Sequence, residues 1–442
     1  MSLRKISREI VSRLQAAGFE AFWVGGCVRD HLLGREPVDF DIATSARPVE
    51  IEALFERTLA VGKQFGVMVV VQGGHEFQVA TFRAEADYTD GRRPGRVEFA
   101  DARADSERRD FTINGLFLDP NTGRIFDWVG GEADLRARLV RTIGMPGDRF
   151  AEDHLRLLRA VRFAAQLGFE IEAGTAEAIR VNAGRISTVS PERVRDELLN
   201  VFRPPHAARG LDLLRSSGLL VHVLPEVAAL VECEQSPDFH PEGTVFNHVR
   251  LMLDQLPSDS PESLPWTVLM HDIAKPRTSS RESSGAIHFY GHEKVGAEMT
   301  EEILQRLKFP RKQTDEVVQC VLHHMQFKDV RKMRRATIRR MILRETFPME
   351  MELHRLDCLG SHRRLDHYEF MIQEREELQR VPAVVPPLLR GDDLIALGMK
   401  PGPAMGALLE EIRDKQLQEE LKTCDQAREW ARERMAGDGS RQ

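Results

Sequence analysis

Runs that read as β-strands are confined to residues 21–99 of this 442-residue chain, and that confinement limits the fold more than any other feature. Residues 3–18 read as an amphipathic helix ending at Gly18, and 21–25 as a short buried strand. A helix is expected over 27–34 and a strand over Asp39–Ile42. After a helix near 48–58, alternation returns at Val67–Gln72, Glu76–Thr81 and Val97–Phe99. From about residue 141 strand signals nearly vanish, and 151–167, 191–202 and 207–216 carry helical periodicity. An α+β region followed by an all-helical one is therefore expected. A chain of this length exceeds one ordinary core. Pro204-Pro205, a polar stretch at 232–243 and Pro382–Pro387 mark breaks. A histidine-rich helical region spans roughly 244–360, and 391–435 is helical again.

Within the first region, Val38-Asp39-Phe40-Asp41-Ile42 follows Val24-Gly25-Gly26-Cys27-Val28-Arg29-Asp30. In a strand, residues i and i+2 share a face, so Asp39 and Asp41 project together and Phe40 projects away. Two carboxylates held that close repel, and a bound cation is the usual remedy. Gly25 and Gly26 allow a backbone to approach a phosphate, and Arg29 adds charge. The alternative is a solvated strand edge beside a strand-to-helix turn.

Arg108-Arg109-Asp110-Phe111-Thr112-Ile113-Asn114-Gly115 extends this constellation. Arginine offers forked donors for phosphate oxygens. Asn114 suits a ribose hydroxyl or a backbone group. Asp110 is either a third carboxylate or the orienter of an arginine. Magnesium favours one or two carboxylates plus substrate phosphates, and such chemistry depends on positioning and charge neutralisation.

Further on, Asp153, Arg156, Arg159 and Arg162 recur every third residue, a row that winds slowly round a helix. The plain reading is a basic helix face. A sharper one concerns base recognition. Cytosine and adenine each present an amino donor beside a ring-nitrogen acceptor; uracil and guanine present the reverse. A carboxylate with an arginine, as in Asp153 and Arg156, accepts the first pair and leaves buried groups unpaired with the second.

Gly-Gly-x-Val-Arg-Asp, Asp-x-Asp, Arg-Arg-Asp-Phe-x-x-Asn and Glu-Asp-x-x-Arg-x-x-Arg, in this order, resemble the bacterial-type (class II) tRNA nucleotidyltransferase and poly(A) polymerase family. The resemblance covers residues 20–230 well and continues more weakly to the end. It implies a polymerase-β-like head at 1–140, a helical neck and body at 141–231, and a helical tRNA-binding tail at 385–435. It also implies template-independent addition of C, C and A to a tRNA 3′ end from CTP and ATP. By that similarity Asp39 and Asp41 bind magnesium, and Gly26, Arg29 and Arg109 contact the nucleotide. Asp153, Arg156, Arg159 and Arg162 form the nucleotide-selecting row. Asp127 to Arg141 resembles the family's motif between head and neck. Thr81–Pro94 resembles its flexible loop for the final A, and Gly62–Gly66 its CCA-adding segment. Gly115, where alanine is usual, and Ala104-Asp105-Ser106-Glu107 are departures. An A-adding enzyme or poly(A) polymerase on the same scaffold is the nearest alternative.

His248, His271-Asp272, His292, His323-His324 and Asp357 lie in the histidine-rich region. Histidine and carboxylate ligands suit manganese, nickel, zinc or iron. His…His-Asp…Asp resembles the HD metal-hydrolase superfamily, here over 240–362. That resemblance implies His248, His271, Asp272 and Asp357 as ligands, with His292 and His323 or His324 adding a second metal or a phosphate contact. The plain reading is a fold relic of packed histidines. A phosphohydrolase with an RNA-binding head is the rival of another class. The basic segment Arg331–Arg340 is either an RNA-backbone contact or a solvated helix face.

The net charge of −7 excludes a global basic field, so RNA contact must be local. Five scattered cysteines without Cys-x-x-Cys argue against a disulfide framework and favour a reducing compartment. No apolar signal core opens the chain and no run of 18 apolar residues occurs, so a cytoplasmic protein without membrane contact is expected. The oligomeric state is not legible.

Overall fold

A computed structural model describes residues 2–61, 66–88, 94–236, 240–283, 287–380, 387–418 and 420–438. Four residues of the expected segment Gly62–Gly66, and Thr89–Arg93 of the expected loop Thr81–Pro94, lie outside the described residues. The chain divides into two compact units. The first comprises Met1–Val231 with Leu253–Pro265 and Glu302–Pro310; the second holds Glu232–Met252, Trp266–Glu301 and Arg311–Gln442.

The first unit opens with α1 (Leu3–Ala16), whose N-cap Ser2 accepts from the Lys5 amide and which buries Ile6, Ile10, Val11 and Leu14. There follow β1 (Ala21–Val24), α2 (Gly26–Leu32), β2 (Asp41–Thr44), α3 (Pro48–Leu54), β3 (Thr58–Leu59), β4 (Val67–Gln72) and β5 (His75–Thr81). Next are β6 (Arg83–Tyr88), β7 (Pro94–Phe99), α4 (Ala102–Glu107), β8 (Phe117–Leu118), β9 (Ile125–Phe126), α5 (Gly131–Ala137) and β10 (Leu139–Val140). Seven strands make one mixed sheet in the order β3-β4-β5-β2-β1-β8-β9. β1 and β2 are antiparallel, with Val24 opposite Asp41, whereas β2 and β5 are parallel. This register sets the glycine turn after Val24 beside the start of β2. Phe22, Phe82 and Phe117 pack under the sheet with Val24 and Ala43.

Two sequence expectations change here. The strand at Asp39–Ile42 begins only at Asp41; Asp39 precedes it, outside any regular element. Arg83–Tyr88, expected as part of a loop, pairs with β7 as a hairpin.

The helical part contains α6 (Pro146–Glu152), α7 (Arg156–Leu167), β11 (Glu170–Ile171, parallel to β10), α8 (Ala173–Asn182), α9 (Pro191–Val201), α10 (Ala207–Ser216), α11 (Leu220–Val223) and α12 (Pro225–Ala228). The single helix expected over 151–167 is two. Asp153 is extended, at φ −145° and ψ 107°, and its Oδ1 accepts from the Leu155 amide at 3.1 Å. That local bond competes with helical pairing and breaks the helix. The row read as one helix face therefore begins outside α7.

The chain from Val245 on, most of it in the second unit, is mostly helical: α13 (Val245–Asp254), α14 (Ser263–Met270), α15 (Lys275–Thr278), a short hairpin of β12 (Ser280–Arg281) and β13 (Ile287–His288), α16 (His292–Arg306), α17 (Arg311–His323), α18 (Arg335–Ile342), α19 (Phe347–Gly360), α20 (Asp366–Arg380), α21 (Gly391–Ala396), α22 (Pro403–Leu417) and α23 (Cys424–Asp438). Phe327, Phe347, Met351 and Met371 form one core cluster here, and Leu394, Leu408, Ile412 and Ala427 another. No helix among the described residues is long and apolar enough to cross a membrane.

Candidate active site and metal centre

Gly25, at φ 71°, is the N-cap of α2, a left-handed position that glycine takes at little cost. A Cβ there would lie 3.1 Å from Arg109 Nη1, so this turn is also packed against the Arg109 guanidinium. Opposite, Phe40 is buried and tilted against Trp23 at 4.8 Å, which turns Asp39 and Asp41 away from the core. Burial and the neighbouring Asp39 push the Asp41 carboxyl up to about 6, with Arg109 pulling the other way. The carboxylate pair, the glycine turn and one guanidinium thus converge.

Arg109 is held by a residue that sequence reasoning assigned no role. Asp105, almost fully buried, takes Arg108 Nη2 at 2.7 Å and Arg109 Nη2 at 3.1 Å. It lies within the stretch that departs from the family pattern. Its spacing of three and four residues from the arginines on α4 was the available signal. Gly115, the other departure, has no room for alanine: a Cβ would meet Val129 Cγ2 at 2.6 Å and Ile143 Cδ1 at 3.1 Å.

Asp110 faces the helices rather than the Asp39–Asp41 pair. Its Oδ2 accepts from Arg159 Nε and Nη2 at 2.9 and 2.6 Å, and its Oδ1 from Asn114 Nδ2 at 3.1 Å and the Phe111 amide at 2.8 Å. Burial alone would raise this carboxyl, but Arg159, Asn114 and Arg156 hold it well below the usual range. Asn114 Oδ1 in turn accepts from Arg29 Nη1 at 2.8 Å. This geometry matches the orienter of an arginine, the second option for Asp110.

On α7, Arg162 Nε lies 2.9 Å from Glu197 of α9, and Arg159 Nη1 3.6 Å from it. Arg29, Arg159 and Arg162 also gather round the Phe163 ring at 5.2, 5.3 and 4.3 Å. Arg156 is tied to the Glu152 carboxylate and donates to the Arg149 and Arg108 carbonyls, the first at 3.1 Å. Asp153 Oδ2 takes Arg193 Nη2 at 2.8 Å. The Asp153–Arg156 pair is thus set by Arg193 on one side and Glu152 on the other. Glu197 and Arg193 were missed because helical charge patterning does not distinguish them from surface residues.

Residues 21–141 match the poly(A) polymerase head domain model, 168–230 the model of the probable RNA and SrmB-binding site of polymerase A, and 240–347 the HD domain model. The three matches follow one another along the chain without overlap. The chain is 44% identical over 215 residues to a CCA-adding enzyme of Geobacillus sp. (strain WCH70), covering 48% of this chain and 53% of that one. A CCA-adding enzyme of Staphylococcus aureus (strain bovine RF122 / ET3-1) is 43% identical over 216 residues, 49% of this chain and 54% of the other. The chain thus spans about half the length of the curated relatives it matches. The crystal structure of the Bacillus stearothermophilus CCA-adding enzyme with CTP superposes over all of both chains, at TM-score 0.76 and 26% identity. A Thermotoga maritima CCA-adding enzyme complexed with tRNA shares the fold at TM-score 0.57 and 18% identity, over 96% of this chain and 93% of that one.

Among the described residues of the second unit, six side chains form two groups whose ligand atoms lie within 4.8 Å of one another: His248, His271 and Asp357, and Asp272, His292 and His324; His240 and Glu242 form a third with His248. Asp357 Oδ1 is 3.1 Å from His248 Nε2 although it lies beyond the HD model match. Asp272 adjoins both groups, with Oδ2 3.2 Å from His271 Nε2 and Oδ1 3.4 and 3.9 Å from Nε2 of His292 and His324. Of the two adjacent histidines, His324 joins the centre; His323 turns its Nδ1 to Glu350 at 3.5 Å.

Three rings share one device. His271, His292 and His324 set Nδ1 against the carbonyls of Val268, Phe289 and Val321 at 2.8, 2.7 and 2.6 Å. A carbonyl only accepts, so Nδ1 carries the proton and Nε2 is left as the ligand atom. Nε2 of His292 and His324 then face each other at 3.1 Å, and buried His271 Nε2, 3.2 Å from Asp272 Oδ2, closes no hydrogen bond among the described residues. Converging acceptors of this kind fit a divalent cation. Burial, above all, pushes His324 down to about 3. Burial would also lower His248, but Asp357 and Glu242 raise it to about 9.

The basic segment Arg331–Arg340 is largely engaged within the unit. Arg335 pairs with Glu377, Arg340 with Asp414 at 3.1 Å, and Arg339 donates to the Leu417 carbonyl.

Proposed function

We propose that this chain adds C, C and A to the 3′ end of tRNA from CTP and ATP, without a template, and releases pyrophosphate. The observation that carries the reading is the convergence of Asp39 and Asp41, the Gly25 turn and Arg109 at one end of the central strands β1 and β2. Hard carboxylate oxygens suit magnesium, which when bound neutralises the phosphates and activates the attacking hydroxyl. Asp39 and Asp41 would hold it. The RNA 3′-oxygen forms a bond to the α-phosphorus, the bond from that phosphorus to the bridging oxygen breaks, and the hydroxyl proton passes to solvent. Arg109, steadied by Asp105, neutralises the triphosphate. Asp110 acts through Arg159 and Asn114 as a positioning residue. Asp153 accepts from the base amino group and Arg156 donates to the ring nitrogen, each held by its own partner. Four domains are proposed for these tasks: a head over 1–140, neck and body over 141–231, an HD domain over 240–362 and a tail over 385–435. Purified protein given tRNA that ends before CCA, with single labelled nucleotides, tests the reading; incorporation of ATP but never CTP would leave an A-adding enzyme or poly(A) polymerase.

A second activity is favoured by the converging Nε2 atoms and the two histidine–carboxylate groups. We infer a metal-dependent phosphohydrolase centre. His248, His271, Asp357, Asp272, His292 and His324 would hold manganese, nickel, zinc or iron, which supplies an activated water to a phosphoester. Lys275, whose Nζ lies 2.7 Å from Asp272 Oδ2, fixes that carboxylate. Loss of phosphatase activity in His271→Ala, with nucleotide addition retained, is the expected result.

A further inference from the structure

We propose that Glu242 makes one half of the histidine–aspartate centre bind metal before the other. The inference rests on the metal-centre reading above. Three of the four inward histidines have a neutral carbonyl on Nδ1. His248 is different. It is fully buried on α13, and its Nδ1 lies 2.9 Å from Glu242 Oε1. The same oxygen takes His240 Nδ1 at 2.8 Å. The Glu242 side chain is only 6% exposed, and its Oε2 has no hydrogen-bond partner among the described residues. A carboxylate this close to Nδ1, even without a closed hydrogen bond, polarises the imidazole more than a neutral carbonyl does, and so strengthens Nε2 as a ligand atom. That Nε2 faces Asp357 and belongs to the first group.

Charge points the same way. Around the group of His248, His271 and Asp357 stand two carboxylates, Asp357 and Glu242. In the group of Asp272, His292 and His324, the Asp272 charge is offset by Lys275, which is itself held by Gln235 at 2.6 Å and lies over the Phe289 ring at 5.3 Å. A divalent ion therefore meets a more negative first group and a nearly neutral second one. The two positions are inequivalent, and the first fills first.

Metal-stripped full chain is titrated with Co2+ while visible absorption reports histidine coordination. The wild type takes up two successive equivalents. Glu242→Gln weakens the first by about 10–100-fold and leaves the second nearly unchanged. Glu242→Asp, which keeps the charge, recovers most of the loss. Lys275→Met tightens the second equivalent only. Unchanged nucleotide addition by Glu242→Gln reports an intact fold. Equal weakening of both equivalents, or none, overturns the role of Glu242 and leaves the metal centre standing. A wild-type chain that shows no histidine-bound Co2+ overturns both.

Discussion

The guanidinium of Arg159 donates two hydrogen bonds to Asp110 Oδ2, from Nε at 2.9 Å and Nη2 at 2.6 Å. This bond joins the motif that follows α4 to α7, which carries Arg156, Arg159 and Arg162. Removing one partner leaves the other charge buried, whereas removing both leaves neither. Arg159→Met should destabilise by about 3–5 kcal/mol, and Asp110→Asn with Arg159→Met by clearly less than the sum of the single changes. Urea unfolding of the four proteins measures the coupling.

Asp41 makes stability fall as pH rises. Its carboxyl shifts from 3.8 to about 6 on folding, through burial and Asp39. Between those values the folded chain holds a proton that the unfolded chain has lost. Stability is therefore fullest below the unfolded value and declines up to the folded one, by about 3 kcal/mol at most. Metal-free Asp41→Asn should melt at a higher temperature than wild type, by more at pH 7.5 than at pH 5. Magnesium should raise the wild-type melting temperature more at pH 7.5 than at pH 5. Thermal scans at both values check the sign.

Gly115→Ala should cost about 1–3 kcal/mol, because the added methyl meets Val129 and Ile143. Adding Val129→Ala should return part of the loss. Unfolding midpoints for the two variants read this directly.

Arg193→Met frees Asp153 Oδ2 from its cation. On the proposed base-reading role, preference for CTP and ATP over UTP and GTP should fall by about tenfold or more, with less change in total turnover. Ratios of kcat/KM for the four nucleotides provide the test.

Much of this was legible in the chain, for physical reasons. Asp39 and Asp41 stand out because alternation beside a buried Phe40 is a local property of extended chain. Asp153 was misread as helical because spacing of three is preserved across the break at Asp153–Leu155. A single side-chain-to-backbone bond decides that break, and periodicity does not carry it. Arg83–Tyr88 escaped as a strand because Arg-Ala-Glu-Ala-Asp lacks β-branched residues. His324 was not separable from His323 without the register of α17. Glu242 and Asp105 act through residues already singled out, and a supporting carboxylate has no signature apart from the group it supports.

The most direct measurement supplies purified chain with labelled CTP or ATP and tRNA ending before CCA, alongside Asp39→Ala/Asp41→Ala. The account predicts that wild type adds C twice and then A, and that the double variant adds nothing. Incorporation of ATP alone, or undiminished addition by the double variant, would contradict it.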